Sequence, residues 1–166
     1  MLRFLTAAAA AALFAAPAMA DNVYIELHSG YDGVTYAGNT YGGIAYGAGL
    51  GYEVTLGGKV YAAIEGNVDD SSSKSDFYGI KSGRDLSAVG KLGVGVTDNL
   101  SIYVLGGYAN ARLKGFGGSI DLDGARAGIG WRYDVGKAYI KTEFLYSNYE
   151  LGFTRYQGMA GLGYKF

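Results

Sequence analysis

A single histidine, His28, stands beside Ser29 and two residues from Glu26. These are the residue types from which a hydrolytic nucleophile, its base and an orienting acid could be assembled. Such chemistry needs nucleophile and base within hydrogen-bond reach, whereas adjacent residues of an extended strand point to opposite faces. His28 and Ser29 therefore make no such pair. "SSSK", Ser71 to Lys74, has the S-x-x-K spacing of acylated serine enzymes but none of their companion motifs, and it lies in a polar stretch that reads as a solvated loop. "GAGLG", Gly47 to Gly51, lacks both the glycine spacing and the following helix of a nucleotide site. Asp69, Asp70 and Asp76 could meet divalent cations, although loop acids are more often simply solvated. No cluster has metal-ligand spacing, and the absence of cysteine excludes disulfides and a lipid-modified N-terminal cysteine. No catalytic, metal or cofactor site is expected, and the chain is not read as an enzyme.

The elements that carry the polar residues are strands. After residue 20 no stretch is long and apolar enough for a spanning helix, and none keeps an amphipathic helical period for more than about two turns. What recurs is alternation with period two over roughly ten residues, broken by turn signals. Eight segments show it: "NVYIELHSGY", "YGGIAYGAGLGYEV", "KVYAAIEGNVD", "DLSAVGKLGVGV", "SIYVLGGYANARL", "GARAGIGWRY", "AYIKTEFLYS" and "YQGMAGLGYKF". In the last, Tyr156, Gly158, Ala160, Leu162, Tyr164 and Phe166 alternate with Arg155, Gln157, Met159, Gly161, Gly163 and Lys165. A sheet that crosses a membrane must close on itself, because edge groups find no water there. The fold class is all-β: an eight-stranded antiparallel transmembrane up-and-down β-barrel.

Two strands need an energetic argument to set their faces. A lipid-facing Arg or Lys costs about 2–4 kcal/mol at mid-membrane and close to nothing near the interface. On that ground Asn110 and Arg112 of the fifth strand are expected inward, with Tyr103, Leu105, Ala109 and Leu113 on the lipid. A two-residue Asp98-Asn99 turn pairing Val96 with Ser101 gives the same register. In the sixth strand Arg126 and Arg132 are expected inward. Ile120 and Leu122 then fall on the wrong parity, which predicts a bulge or a break near Asp123-Gly124.

Aromatic and glycine positions fit this scheme. Outward Tyr52, Tyr103, Trp131, Tyr133, Tyr164 and Phe166 fall at the short-turn end, and Tyr31, Phe144, Tyr146 and Tyr156 at the other, as two interfacial girdles. Inward glycines recur on every even strand, while Tyr24, Glu65, Tyr108, Arg112, Tyr139 and Lys141 supply bulk from the odd ones. Small opposite large is how a narrow barrel fills. The inward charges are then Glu26, Glu53, Glu65, Asp85, Lys91, Arg112, Arg126, Arg132, Lys141, Glu143, Arg155 and Lys165, with His28 among them. Both signs are present, so the groups can satisfy one another inside. An eight-stranded interior is only wide enough for side chains, and a plug rather than a pore is expected.

Compartment follows from residues 1–20, "MLRFLTAAAAAALFAAPAMA", with Arg3, an apolar run from Leu5 to Phe14, and Ala18-Met19-Ala20 before Asp21. This is the pattern of a cleaved secretory signal peptide, and its apolar run falls short of the roughly 20 residues of a spanning helix. Residues 21–166 are expected to form one barrel domain. The 14 Lys+Arg less Arg3 leave 13 against 15 Asp+Glu, a net charge of −2, which weighs against a nucleic-acid partner. With 29 Gly and 16 Tyr in 166 residues, only 17% charged, the composition is far from that of an average soluble domain.

The signal peptide, the eight alternating strands with three short turns, and the closing "GLGYKF" together resemble the small outer-membrane β-barrel family, the "porin family" that includes opacity-type surface antigens and the OmpA-like transmembrane barrel. The resemblance implies a Gram-negative outer-membrane location. It further implies that Leu162, Tyr164 and Phe166 form the signal read by the barrel-assembly machinery. Both termini should lie in the periplasm, with the loops at Asp32–Thr40, Asp69–Gly83, Lys114–Ser119 and Tyr149–Thr154 outside. The partners implied are outer-membrane lipid, lipopolysaccharide and that machinery, around a monomer. The function expected is a non-enzymatic structural or surface-antigen role. A narrow porin for small solutes is the first alternative, and an adhesin acting through its loops the second.

Overall fold

A computed structural model describes residues 22–75, 80–115 and 118–166; the signal peptide expected at 1–20 and Asp76 of the acidic run lie outside them. The strands are β1 (Val23–Tyr36), β2 (Asn39–Gly57), β3 (Val60–Ser71), β4 (Lys74–Ser75), β5 (Ile80–Gly95), β6 (Leu100–Gly115), β7 (Gly118–Val135), β8 (Ala138–Tyr149) and β9 (Thr154–Lys165). Each pairs antiparallel with its chain neighbour, β3 with β5 directly, while β4 is a two-residue spur on β5. β1 pairs with β9 from Tyr24↔Lys165 to Thr35↔Thr154, which closes the sheet into an eight-stave barrel and leaves no open edge.

Alternation dictates the faces. Leu27, Ile64, Val68, Ile129, Phe144 and Leu162 stand outward and exposed, whereas Tyr24, Glu26, Glu65, Arg126, Lys141 and Arg155 are buried inside. An apolar exterior around a charged core suits a bilayer and would aggregate in water. The staves run to 19 residues in β2 and 18 in β7, against about 9–11 needed to cross. The surplus projects beyond the membrane at the loop end. There β1 and β2 continue as a hairpin through Ala37 (φ 48°) and Gly38 (φ 79°), the pair of positive dihedrals that a twist-matched two-residue turn requires. Most of the loop expected at Asp32–Thr40 is therefore strand.

The faces expected for the fifth strand are reversed in β6. Tyr103, Leu105, Ala109, Ala111 and Leu113 are buried inside, while Val104, Tyr108 and Arg112 lie on the outer face. Gly95, not Val96, pairs with Ser101. The connection is one residue longer than expected, with the Val96 and Thr97 N–H groups both donating to the Leu100 carbonyl. A one-residue slip moves a whole strand's side chains to the other face. Arg112 tolerates the outer face because it stands beyond the membrane, where an outward arginine costs almost nothing. The bulge or break expected near Asp123-Gly124 is absent: β7 is unbroken, and β6 and β7 pair without interruption from Leu100↔Tyr133 to Gly115↔Gly118. Leu122 is inward like Arg126, and packs under the loop end with Ala109, Ala111, Leu113, Tyr149 and Phe153.

Candidate functional site

Among the described residues the lumen concentrates the titratable side chains, and its filling begins with a ring of tyrosines. Tyr24, Tyr61, Tyr103 and Tyr139 project inward from β1, β3, β6 and β8, each directly opposite a glycine of the following stave: Gly51, Gly93, Gly130 and Gly163. Each ring lies flat in the space a side chain would fill. A Cβ added at Gly130 would sit 2.6 Å from Tyr103 Cζ, well inside van der Waals contact. Three of the hydroxyls donate to three glutamates: Tyr24 to Glu65 at 2.8 Å, Tyr103 to Glu143 at 2.7 Å and Tyr139 to Glu26 at 2.9 Å.

Those glutamates belong to the middle tier. Lys91 Nζ lies 2.5 Å from Glu65 and 2.9 Å from Glu143. Lys141 pairs closely with Glu26, and its Nζ is 2.9 Å from Glu143 and 3.9 Å from Glu65. At the short-turn end Arg132 holds Glu53 through two guanidinium nitrogens at 2.5 and 3.2 Å and lies over the Tyr61 ring, 4.9 Å from its centroid. Lys165 pairs with Asp134 at 3.0 Å beside it.

A third tier fills the loop-end half. Arg155, 2% exposed, grips Asp32 with Nε at 2.5 Å and Nη2 at 3.0 Å and reaches Asp85 with Nη1. Arg126 also donates to Asp85 at 2.8 Å, and further to Ser147, Ser87 and Tyr149. Ser71 and Ser73 donate to Asp32 as well. His28 links the tiers, with Nε2 2.5 Å from Asp69 and Nδ1 3.2 Å from Glu26. Carboxylates only accept, so this bridge is complete when both ring nitrogens carry hydrogen. Ser29 faces outward and donates to the Ala45 carbonyl, out of reach of His28 on the inner face.

Together, Glu26, Asp32, Glu65, Asp69, Asp85 and Glu143 are answered inside by Lys91, Lys141, Arg126, Arg155 and His28. Buried ions are tolerable only when paired and hydrogen-bonded in this way. Between the middle tier and the tyrosine ring lies a cavity of about 10 Å³ lined by Tyr24, Tyr61, Tyr103, Tyr139, Lys91 and Lys141 among others, room for about one water. Above the third tier lies the apolar cluster of β6, β7, Tyr149 and Phe153, the Phe153 ring stacking on Tyr36 at 4.2 Å.

Of the residues expected in the interior network, Glu26, Glu65, Lys91, Arg126, Lys141, Glu143 and Arg155 are buried in the lumen, and Glu53 and Arg132 close its short-turn end. Arg112 is not part of it: on the outer face of β6 it holds Asp121 in a two-pronged pair at 2.7 and 2.9 Å. Tyr103, expected in the lipid girdle, is inside, and Tyr108, expected inside, is out. Asp32 and Asp69 were expected in solvated loops and are instead buried anchors. Their parity was the available signal, since Asp32 continues the series of Glu26 and His28, and Asp69 that of Glu65 and Asn67. Leu162, Tyr164 and Phe166 stand outward on β9 and its end, with Tyr164 edge-on to Phe166 at 5.6 Å.

Comparison with known proteins gives a match of residues 6–166 to the family model described as outer membrane protein β-barrel domain. Among solved structures the chain is similar to Ail, the attachment invasion locus protein of Yersinia pestis, with a TM-score of 0.64 and 17% identity over 89% of this chain and 100% of that one. It is also similar to Neisserial surface protein A, with a TM-score of 0.67 and 12% identity over 87% of this chain and 97% of that one. The N-terminal β-barrel domain of Pseudomonas aeruginosa OprF gives 0.57 and 19% over 86% and 97%. At such identities the likeness is one of fold. No curated protein matches the chain.

Proposed function

The chain belongs to the outer membrane protein β-barrel domain family, and from that premise we propose that it is a non-enzymatic outer-membrane barrel with a closed lumen, acting as a structural or surface-exposed protein rather than a conduit. The observation that carries this is the three-tier ionic filling, with a cavity of about 10 Å³ between the tyrosine ring and the middle tier. Open channels belong to much wider barrels. The three short turns face the periplasm, and the long hairpin ends project from the cell. Leu162, Tyr164 and Phe166 serve as the label by which the assembly machinery takes up the last stave; their exposure on the lipid face supports this role.

Flux of ions and small sugars through liposomes tests the closed lumen. The native barrel is expected at background, and a variant with Glu65→Ala and Arg126→Ala, which opens the middle and third tiers together, above it. Selective flux through the native protein would overturn the plug and make the chain a narrow porin.

A further inference from the structure

The outer wall is recessed on either side of the chain's only tryptophan, Trp131. Directly opposed outward side chains form rows across the staves. One row is Val94, Ile102, Trp131, Thr142, Ala160 and Ser29, each facing the next from β5 round to β1. On its loop-end side, against the row of Val104, Ile129 and Phe144 and with Gly93 and Gly130 between, lies a groove of about 630 Å³. On its short-turn side, against the row of Ile140, Leu162 and Leu27, lies a second of about 460 Å³. Trp131 and Thr142 border both, so the indole is the partition between them. Neither groove offers a free polar group for a partner to bond: the Ser29 hydroxyl is turned back onto the Ala45 carbonyl, and His28 and Lys141, which border the second, hold their charged ends in the lumen.

Within a bilayer such recesses are filled by acyl chains or by the side chains of a protein neighbour. Protein association there draws on hydrogen bonds across the interface as well as close packing, and this wall supplies none. An acyl chain needs only contact. The charges below the grooves say which lipid fits. Among the described side chains at the short-turn end, Glu53, Asp98 and Asp134 are paired with Arg132, Lys59 and Lys165. Lys137, exposed in the turn between β7 and β8, has no such pair. It is three residues from Ile140, which at about 3.4 Å per residue and a stave tilt near 40° sets it roughly 8 Å nearer the water, at headgroup depth. The geometry points to a binding site for one anionic diacyl phospholipid astride Trp131, with an acyl chain in each groove and its phosphate at Lys137. The site requires the barrel to lie in a membrane, and depends on neither its orientation nor its closed lumen.

Trp131 fluorescence reads the site directly. The folded barrel in detergent is titrated with phosphatidylglycerol brominated on its acyl chains, which quenches the indole on contact. Quenching of the native protein is expected to saturate at a single lipid per chain and to be reversed by unbrominated phosphatidylglycerol. Ala160→Phe fills the smaller groove and Val94→Phe the larger; each is expected to need roughly tenfold more lipid for the same quenching. Lys137→Ser is expected to need about fivefold more, the worth of one lysine at a lipid surface. Phosphatidylcholine, whose headgroup carries no net charge, is expected to bind the native protein as weakly as phosphatidylglycerol binds that variant. A gel-mobility difference between boiled and unboiled samples shows that each variant is folded. Quenching that rises without saturation and is the same in both groove variants would overturn the site and leave an ordinary lipid annulus. Unchanged affinity in Lys137→Ser would overturn the placing of the phosphate. A native barrel that runs as a dimer, becomes monomeric in Ala160→Phe and shows no competition by unbrominated lipid would overturn the lipid and assign the face to a second copy of the chain.

Discussion

Arg155 and Arg112 are a matched pair for testing which side of the wall each charge occupies. Arg155 is buried in the third tier, its guanidinium shared between Asp32 and Asp85. Replacing it with Met keeps an unbranched side chain in the space but removes the charge. Asp85 then keeps Arg126 and the Tyr149 hydroxyl at 2.6 Å, whereas Asp32 keeps only Ser71 and Ser73. Breaking a buried pair so that one ion stays uncompensated costs about 3–5 kcal/mol. With a urea slope of about 2 kcal/mol/M, the unfolding midpoint in lipid or detergent falls by roughly 1.5–2.5 M. Arg112→Met leaves Asp121 in contact with water, and its midpoint is expected to move by a small fraction of that. The assay is the urea dependence of the fast-migrating folded band on an unboiled gel. Equal shifts for the two variants, or a larger one for Arg112→Met, would refute the face assignment of β6 and the account of the third tier with it. Adding Asp32→Asn to Arg155→Met should recover part of the loss, since the orphaned charge and not the missing contacts dominates.

The tyrosine ring predicts a steric cost: Gly130→Val forces a branched side chain against Tyr103, and should destabilise by about 1–3 kcal/mol, with partial relief when Tyr103→Ala is added, read in the same urea assay. Outside the membrane, the hydrogen bonds from Arg112 hold the Asp121 carboxyl below its ordinary value. A lowered folded-state value means the pair's contribution is present above the ordinary aspartate range and is lost as pH falls through the lowered one. Carboxyl-carbon NMR should therefore show Asp121 titrating below its value in an Arg112→Met variant, and an unchanged midpoint would remove the pair. Deleting Phe166 should lower the amount of folded protein in the outer membrane while leaving detergent refolding of the purified chain intact. Loss of both would make Phe166 a packing residue instead of a recognition one.

Much of this protein is legible in its alternation. Period two read along β1, β2, β3, β5, β7, β8 and β9 gives the correct faces because a stave has lipid on one side and a crowded polar interior on the other, and a side chain on the wrong side is costly. The eight-stave count, the closure and most of the ionic filling follow from that rule. It fails in β6, where Tyr103, Leu105 and Ala109 give the inner face an apolar character much like that of the outer, so hydrophobicity does not discriminate. There the parity is fixed by one extra residue in the turn between Val96 and Leu100, a matter of backbone hydrogen bonding. The sequence argument for Arg112 assumed mid-membrane depth. Only the three-dimensional stagger of long staves shows that it stands above the bilayer.

Which charge meets which was decided by tertiary structure alone. Glu26 and Lys141 are 115 residues apart, and nothing local brings them together; barrel closure through β1 and β9 does. Composition and alternation by themselves determined that this chain makes a membrane barrel with a charged interior, because those properties depend on each residue's face. The pairing of that interior, the tyrosine–glycine ring and the apolar cluster at the loop end depend on register between strands, and register exists only once the sheet has closed.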